Sequence, residues 1–136
     1  MNSLWGAVLL VLVGCASGLP APASLGSVVS VLCSRAYDPQ KNLAADFTWD
    51  FSRLDRQIVL GVTLQGYPPG SRCEVVRYWN GKYLDHGSVA VKKPGAGTVF
   101  FTWTLTKPGA SHPVGPYRVK VFVNGRYAKE IAYTVG

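Results

Sequence analysis

The chain has 136 residues and a formal net charge of +7, and only 15% of its residues are charged. An apolar content of 48% excludes a disordered chain, and 15 Gly with 9 Pro are typical of short strands joined by tight turns. Once a short targeting segment is set aside, the length leaves room for one domain of ordinary size.

An apolar segment without charged side chains occupies the N-terminus, from Leu4 to Val13. It is too short to span a bilayer and has the length of the apolar region of a signal peptide. The residues at its end, Leu12-Val13-Gly14-Cys15, resemble the lipobox of bacterial lipoproteins. The resemblance implies a lipoprotein signal peptide over residues 1–14 and diacylglycerol on the Cys15 thiol, which would attach the protein to a membrane without a spanning helix. The alternative is an ordinary secretory signal in which Cys15 is incidental.

Residues 15–25 contain Cys15, the predicted lipidation site, followed by two prolines and mostly small residues, and they predict an extended, flexible tether. Ala16 and Ser17 follow Cys15, whereas Asp at this place often retains lipoproteins of two-membrane bacteria at the inner membrane. We therefore expect an exported protein, anchored by lipid on the periplasmic side of the outer membrane or at the cell surface.

Between residues 26 and 136, β-rich runs alternate with turn signals, and no helical periodicity extends beyond a turn or two. The clearest alternation lies in Gln57–Leu64, and similar patterns follow in Val99–Leu105 and Pro116–Val123. The predicted core residues are Ile58, Leu60, Val62, Val99, Phe101, Trp103, Tyr117, Val119 and Val121. About seven short strands at this spacing predict an all-β domain, a single antiparallel β-sandwich.

The final hairpin turns at Asn124-Gly125, which echoes an earlier Asn80-Gly81 turn. A regular two-residue loop would place Val119 opposite Glu130 and mix apolar with polar faces. Shifting the register by one residue restores apolar pairing. We therefore expect an odd-length loop with Gly125 in a bulge position.

Two segments resemble bacterial Ig-like domains. The last strands of these domains are similar to the segment that runs from Gly115-Pro116-Tyr117 through Asn124-Gly125-Arg126 to Ala132-Tyr133-Thr134-Val135. Their middle is similar to the segment from Pro68-Pro69-Gly70 to Trp79-Asn80-Gly81. The resemblance implies one Ig-like sandwich over residues 26–136. It also places Tyr117 at the tyrosine corner, where the hydroxyl ties a crossing loop to the strand. The alternative is a plain core tyrosine.

Two cysteines, Cys33 and Cys73, remain in the predicted exported domain. We predict a disulfide between them, which would be stable in an oxidising compartment and could contribute about 3 to 4 kcal/mol. The alternative is a pair of buried free thiols, because strands from opposite parts of a sandwich do not always bring their α-carbons within bonding distance.

The sequence contains no nucleophile elbow, zinc spacing or glycine-rich phosphate loop, so we expect no enzyme, no cofactor and no metal. Asp85 and His86 are neighbours on a strand and point to opposite faces. Asp46, Asp50 and Asp55 match no calcium-loop spacing. The aromatic side chains among these acids favour a loop that covers one end of the sandwich.

A basic and aromatic cluster is the candidate binding surface. Its members, placed outward by the alternation of Pro116–Val123 and by the turn that follows, are Arg118, Lys120, Phe122, Arg126 and Tyr127. The alternative is a solvated face whose charges protect an edge from aggregation.

These features predict a membrane-anchored, non-catalytic interaction module of the cell envelope. The expected partners are the membrane, through the lipid anchor, and an envelope protein or anionic glycan. Nucleic acid is not expected, because the chain carries an export signal. The alternative function is an inhibitor or accessory subunit of an exported enzyme or envelope complex, and the oligomeric state is left open.

Overall fold

The computed structural model describes residues 26–92 and 95–136, so the predicted signal peptide, Cys15 and the tether lie outside the described residues. The described ranges form nine strands: β1 (Ser27–Asp38), β2 (Leu43–Phe47), β3 (Asp50–Phe51), β4 (Gln57–Tyr67), β5 (Arg72–Trp79), β6 (Lys82–Ala90), β7 (Gly95–Thr104), β8 (Gly115–Val123) and β9 (Arg126–Val135). Within these ranges no helix is long and apolar enough to cross a membrane.

The strands form two sheets, with orders β2-β1-β4-β7 and β3-β9-β8-β5-β6. Neighbouring strands are antiparallel except for the short parallel pair β3 and β9. The predicted all-β sandwich is confirmed. The strand count is nine rather than about seven because the stretch between β1 and β4, which we expected to be a loop, contains the short strands β2 and β3.

The core lies between the two sheets. Ile58, Leu60 and Val62 of β4 are 0% exposed, as are Val119 and Val121 of β8. The other predicted core residues also face the interior: Phe101 and Tyr117 are buried, and Val99 and Trp103 are partly buried against the same cluster. The predicted core faces are therefore confirmed, as expected where removal of apolar surface from water drives folding.

Two Asn-Gly turns close the hairpins β5–β6 and β8–β9. Trp79 pairs with Lys82 across one turn, and Val123 pairs with Arg126 across the other, so each loop has two residues. The φ angles of both residues in each turn are positive, between 50° and 80°, as a type I′ turn requires. The expected odd-length loop at Asn124-Gly125 is therefore wrong.

A β-bulge two residue pairs beyond each turn makes the register shift instead. The extra residue is Leu84 in β6 and Ala128 in β9. Beyond Ala128, Val119 pairs with Ile131. The shift that apolar pairing demanded is therefore present, but it lies inside the ladder rather than in the loop.

Cys33 and Cys73 are buried free thiols, so the predicted disulfide is absent. Cys33 pairs with Leu60 near the start of β4, whereas Cys73 pairs with Val123, which lines the same cavity as Tyr67 at the end of that strand. At about 3.3 Å per residue this offset exceeds the separation of roughly 7 Å that a disulfide can bridge between α-carbons. Burial raises the pKa of each thiol from 9.0 to about 12.

The centre of the outer face of the four-stranded sheet is covered by the chain itself. The ring of Tyr37, in the β1–β2 hairpin, lies 4.5 Å from the ring of Phe100 in β7. Phe100 in turn covers Gly61, where an added Cβ would come within 2.9 Å of its ring. Ser34 and Val59, which pair across β1 and β4, are both 0% exposed on this outer side, whereas Leu32 in the Gly61 row is 45% exposed. We call this surface the covered face.

Candidate functional site

The outer face of the five-stranded sheet is the counterpart of the covered face, and exposed side chains lie on β6, β8 and β9, among them Tyr83, His86, Arg118 and Tyr127. We call it the open face. Alternate residues of β6, β5, β8 and β9 point outward and form three cross-strand rows, because paired residues of neighbouring strands share a face. The rows are Ser88–Glu74–Phe122–Tyr127, His86–Val76–Lys120–Glu130 and Tyr83–Tyr78–Arg118–Ala132.

Four of the five predicted binding residues lie on the open face. Arg118, Lys120 and Phe122 occupy successive rows of β8, and the Phe122 ring contacts the ring of Tyr127 edge-on at 6.0 Å. Arg126 lies elsewhere: it pairs with Val123, whose side chain faces the core. Arg126 lines a cavity of about 530 Å³ at the end of the sandwich where Gly26 lies.

Three further residues of the open face, Tyr78, Tyr83 and His86, contact one another in turn and were missed by the sequence prediction. Tyr78 and Tyr83 meet edge-on at 6.5 Å, and the Tyr83 hydroxyl lies 2.7 Å from Nδ1 of His86. The sequence did contain a signal for them. A two-residue turn at Asn80-Gly81 fixes Tyr78 opposite Tyr83.

The charges on the open face are partly paired. Arg118 donates to Oε2 of Glu130 at 2.8 Å. The Lys120 ammonium lies 5.3 Å from the centre of the Tyr78 ring and forms no ion pair with the described part of the chain. Glu74, in the Phe122 row, is the second acid of the three rows. Within the described residues, the Lys120 ammonium of the middle row therefore has a cation–π contact with Tyr78 and no acidic partner.

A buried arginine supports the open face from beneath. Arg77 is 6% exposed and donates two hydrogen bonds to Asp85, at 2.8 and 2.6 Å. It donates a third to the Tyr133 hydroxyl at 3.0 Å, and its guanidinium lies 4.1 Å from the centre of the Trp103 ring. Burial alone lowers the pKa of Arg77, but Asp85 and Tyr133 outweigh it and the pKa is raised. Arg77 thus ties β5 to the edge strand β6 and to β9.

The tyrosine corner predicted by resemblance is confirmed. The Tyr117 hydroxyl donates to the carbonyl oxygen of Pro113 at 2.6 Å, which fixes the segment that enters β8. The Tyr117 ring stacks on the ring of Tyr133 at 4.7 Å. Together with Arg77, these rings fill the core below the Tyr78 row.

The acids between β1 and β4 serve structural roles. Arg35 donates to Asp46 at 3.1 Å and to Asp55 at 3.2 Å, and the Asp50 carboxylate accepts a hydrogen bond from the Thr134 hydroxyl at 2.7 Å. In the part of the chain that the structure describes, no group of His, Cys, Asp and Glu could hold a metal ion.

The aromatic side chains among these acids cover the end of the sandwich less completely than we expected. Phe51 is buried against Tyr133 at 5.4 Å. Phe47 and Trp49 are instead exposed. The predicted covering loop therefore rests on one aromatic side chain rather than on three.

Several solved structures are similar to this chain, among them two from Pseudomonas species. An immunoglobulin-like protein from Pseudomonas aeruginosa matches with a TM-score of 0.57 and 19% identity, over 82% of this chain and 96% of that chain. Part of an alkylpurine DNA glycosylase from Pseudomonas fluorescens, solved bound to DNA containing an abasic site analog, matches with a TM-score of 0.51 and 11% identity, over 82% of this chain and 30% of that chain. No protein-family model and no curated protein matches the chain. At these identities the likeness establishes the Ig-like fold, and it carries no information about a partner.

Proposed function

We propose that this Ig-like domain is a non-catalytic binding module of the bacterial cell envelope and that the open face is its binding surface. The observation that carries the proposal is the contrast between the two outer faces. At the centre of one face the chain's own hairpin packs on Phe100 and Val59 is buried, while the other face presents Tyr83 and Tyr127, each 58% exposed, and the partly exposed Tyr78 beside cations. Tyrosine provides a large, rigid contact area at low entropic cost, which is why binding surfaces are enriched in it.

The chemistry of the open face favours binding over catalysis. His86 lies beside the Tyr83 hydroxyl, and Glu130 is paired with Arg118. Nucleophilic catalysis requires a nucleophile next to a general base, with a third group that orients the base. Neither arrangement has these three parts. The rows lie on a sheet face rather than in a closed cleft that excludes water. The open face is therefore suited to contact with a large partner.

Attachment to the envelope would come from acylation of Cys15, as the lipobox resemblance implies. Replacing Cys15 with Ser should move the protein from the detergent phase to the aqueous phase when the producing cells are fractionated. The natural chain is the control. Unchanged partitioning of the variant would contradict the anchor without bearing on the open face.

The binding role is tested by adding the purified protein to isolated bacterial envelopes and measuring co-sedimentation. A Tyr78→Ser, Tyr83→Ser double variant should lose most of its retention, by about tenfold, because it removes the central aromatic contacts. The matched control is Leu43→Ser with Leu54→Ser, which changes two side chains that are 61% and 64% exposed away from the open face. Equal retention of both variants would refute the proposal. Co-purification of a single stoichiometric enzyme would instead favour an inhibitor.

A further inference from the structure

We propose that the ligand of the open face is an anionic glycan, in which Lys120 binds a sugar carboxylate while Tyr78 and Tyr83 contact the apolar faces of the sugar rings. The inference rests on the proposed function and names the chemical class of its partner. The observation behind it is the juxtaposition of a cation without an ion pair and a fixed pair of tyrosine rings in adjacent rows.

Lys120 has unused binding capacity. An ammonium group has three hydrogen-bond donors. In residues 26–92 and 95–136 the Lys120 ammonium contacts the Tyr78 ring and has neither a hydrogen bond nor an ion pair. Its cross-strand neighbour Glu130 is occupied by Arg118. A carboxylate arriving from solvent would therefore find a cation whose charge is not neutralised, and the hydrogen bond it accepts would be charge-assisted.

The two tyrosines are held in place before a ligand binds. Tyr83 is 58% exposed, yet its hydroxyl is fixed by His86 and its ring meets Tyr78 edge-on. A side chain that is ordered in advance loses little entropy on binding. Sugar rings have an apolar face of C–H groups and a rim of hydroxyls, so the tyrosine rings suit the face, while the Tyr83 hydroxyl and the His86 ring can bond the rim.

The position of the charges favours a glycan over a folded protein. The centre of a protein–protein interface is apolar and depleted in lysine. Here Lys120 occupies an inner strand of the middle row, between Val76 and Glu130. A hydrated polymer with repeating acidic groups can satisfy such a lysine. Glu74 lies in the Phe122 row, on the side of Lys120 away from Tyr78. Because Glu74 would repel a ligand carboxylate, that carboxylate should approach Lys120 from the side of the tyrosines.

The test uses three polymers as probes in titration calorimetry with the purified protein. Polygalacturonate has sugar rings and carboxylates, polyphosphate has charge without sugar rings, and dextran has sugar rings without charge. We expect polygalacturonate to bind, polyphosphate to bind at least about tenfold more weakly because it cannot stack on the tyrosines, and dextran not to bind. Raising the salt from about 0.05 M to about 0.5 M should weaken polygalacturonate binding strongly, because exposed charges are screened.

Matched variants assign the contacts. Lys120→Gln should weaken polygalacturonate binding about tenfold. Lys129→Gln should not, because Lys129 pairs with the core-facing Val121 and lies off the open face. Glu74→Gln should strengthen binding, because it removes the acid beside the site. Unfolding midpoints of all three variants would show that each remains folded.

Three results would overturn the proposal. Equal binding of polyphosphate and polygalacturonate would show that the open face binds polyanions through charge alone, without recognising sugar rings. Equal effects of Lys120→Gln and Lys129→Gln on polygalacturonate binding would show that Lys120 is not a specific contact of the ligand. Absence of binding to all three polymers, together with envelope retention that still depends on Tyr78 and Tyr83, would make the partner a protein; the proposed function would stand and the glycan would not.

Discussion

The covered and open faces start from the same kind of strand and end with opposite surroundings. On the covered face Val59 is 0% exposed, whereas the equivalent outward residue of β5, Val76, is partly exposed between His86 and Lys120. Both sheets bury the centres of their inner faces. The difference shows that alternation identifies the core side of a strand, but that coverage of the other side depends on where the connecting segments pack.

The largest expected difference comes from placing a carboxylate on each face. Val59→Asp should destabilise the domain by at least about 4 kcal/mol, because the charge would be buried without a partner. Val76→Asp should cost only about 1 kcal/mol, since it remains in contact with water and adjoins Lys120. Urea midpoints of the two variants measure the contrast. Similar losses for both would mean that the faces are equally covered.

Truncating one phenylalanine on each face sharpens the comparison. Phe100→Ala should cost about 2 to 3 kcal/mol, because Phe100 covers Gly61 and supports Tyr37. Phe122→Ala should cost about 1 kcal/mol, because its partner Tyr127 is itself largely exposed. The reverse order in denaturant melts would contradict the assignment of the covered face.

The inner faces should behave alike, and the two thiols test this with pH. The pKa of Cys33 and of Cys73 is about 12 in the folded protein and 9.0 without burial. Above pH 9 the unfolded chain therefore loses protons that the folded chain keeps, so stability falls as the pH rises from 9 to 12. Each thiol should remove about 1 kcal/mol between pH 9 and pH 10.

The control for the thiol experiment is the same pH series on Cys33→Ala and Cys73→Ala, each of which should show a shallower decline. Both thiols should also resist alkylation at pH 8 in the native protein and react after unfolding. A thiol that reacts at the normal rate in the native protein would contradict its burial.

The smallest expected effect is on the open face. Tyr83→Phe removes the hydroxyl that contacts His86 but keeps the ring. Because this hydrogen bond is exposed to water, the unfolding free energy should change by less than about 0.5 kcal/mol. Binding of polygalacturonate should nevertheless weaken several-fold. A loss of stability without a loss of binding would show that the contact is structural.

The sequence predicted most of the fold and about half of the candidate site. Strict alternation in β4, β7 and β8 located the core, because a strand with one buried face has a strong period of two. The disulfide prediction failed because sequence spacing says nothing about the level at which Cys33 and Cys73 lie along the sandwich. The short strands β2 and β3 lack such alternation, and they form through pairing with β1 and β9.

The binding surface was predicted from β8 and the turn that follows it, so it included Arg126, which lies off the open face, and omitted the two strands on the other side of β8. Tyr78, Tyr83 and His86 join the open face only through the pairing of β5 with β8 and β6. That long-range pairing is not encoded in the local pattern of either strand. The Asn80-Gly81 turn does predict the pairing of β5 with β6, since a two-residue turn sets the register of that hairpin. The pairing of β5 with β8 has no such local signal.

The bulge at Ala128 lets the final hairpin tolerate a change of length. The ladder holds one residue more than a regular two-residue hairpin needs, so deleting any one residue from 128 to 130 would produce the regular hairpin. Ile131, Tyr133 and Val135 would then still face the core. A deletion beyond Ile131 would turn the rest of β9 inside out. The same reasoning applies to Leu84 in the β5–β6 hairpin, so these are the two places where we expect homologous chains to differ by a single residue without losing the fold.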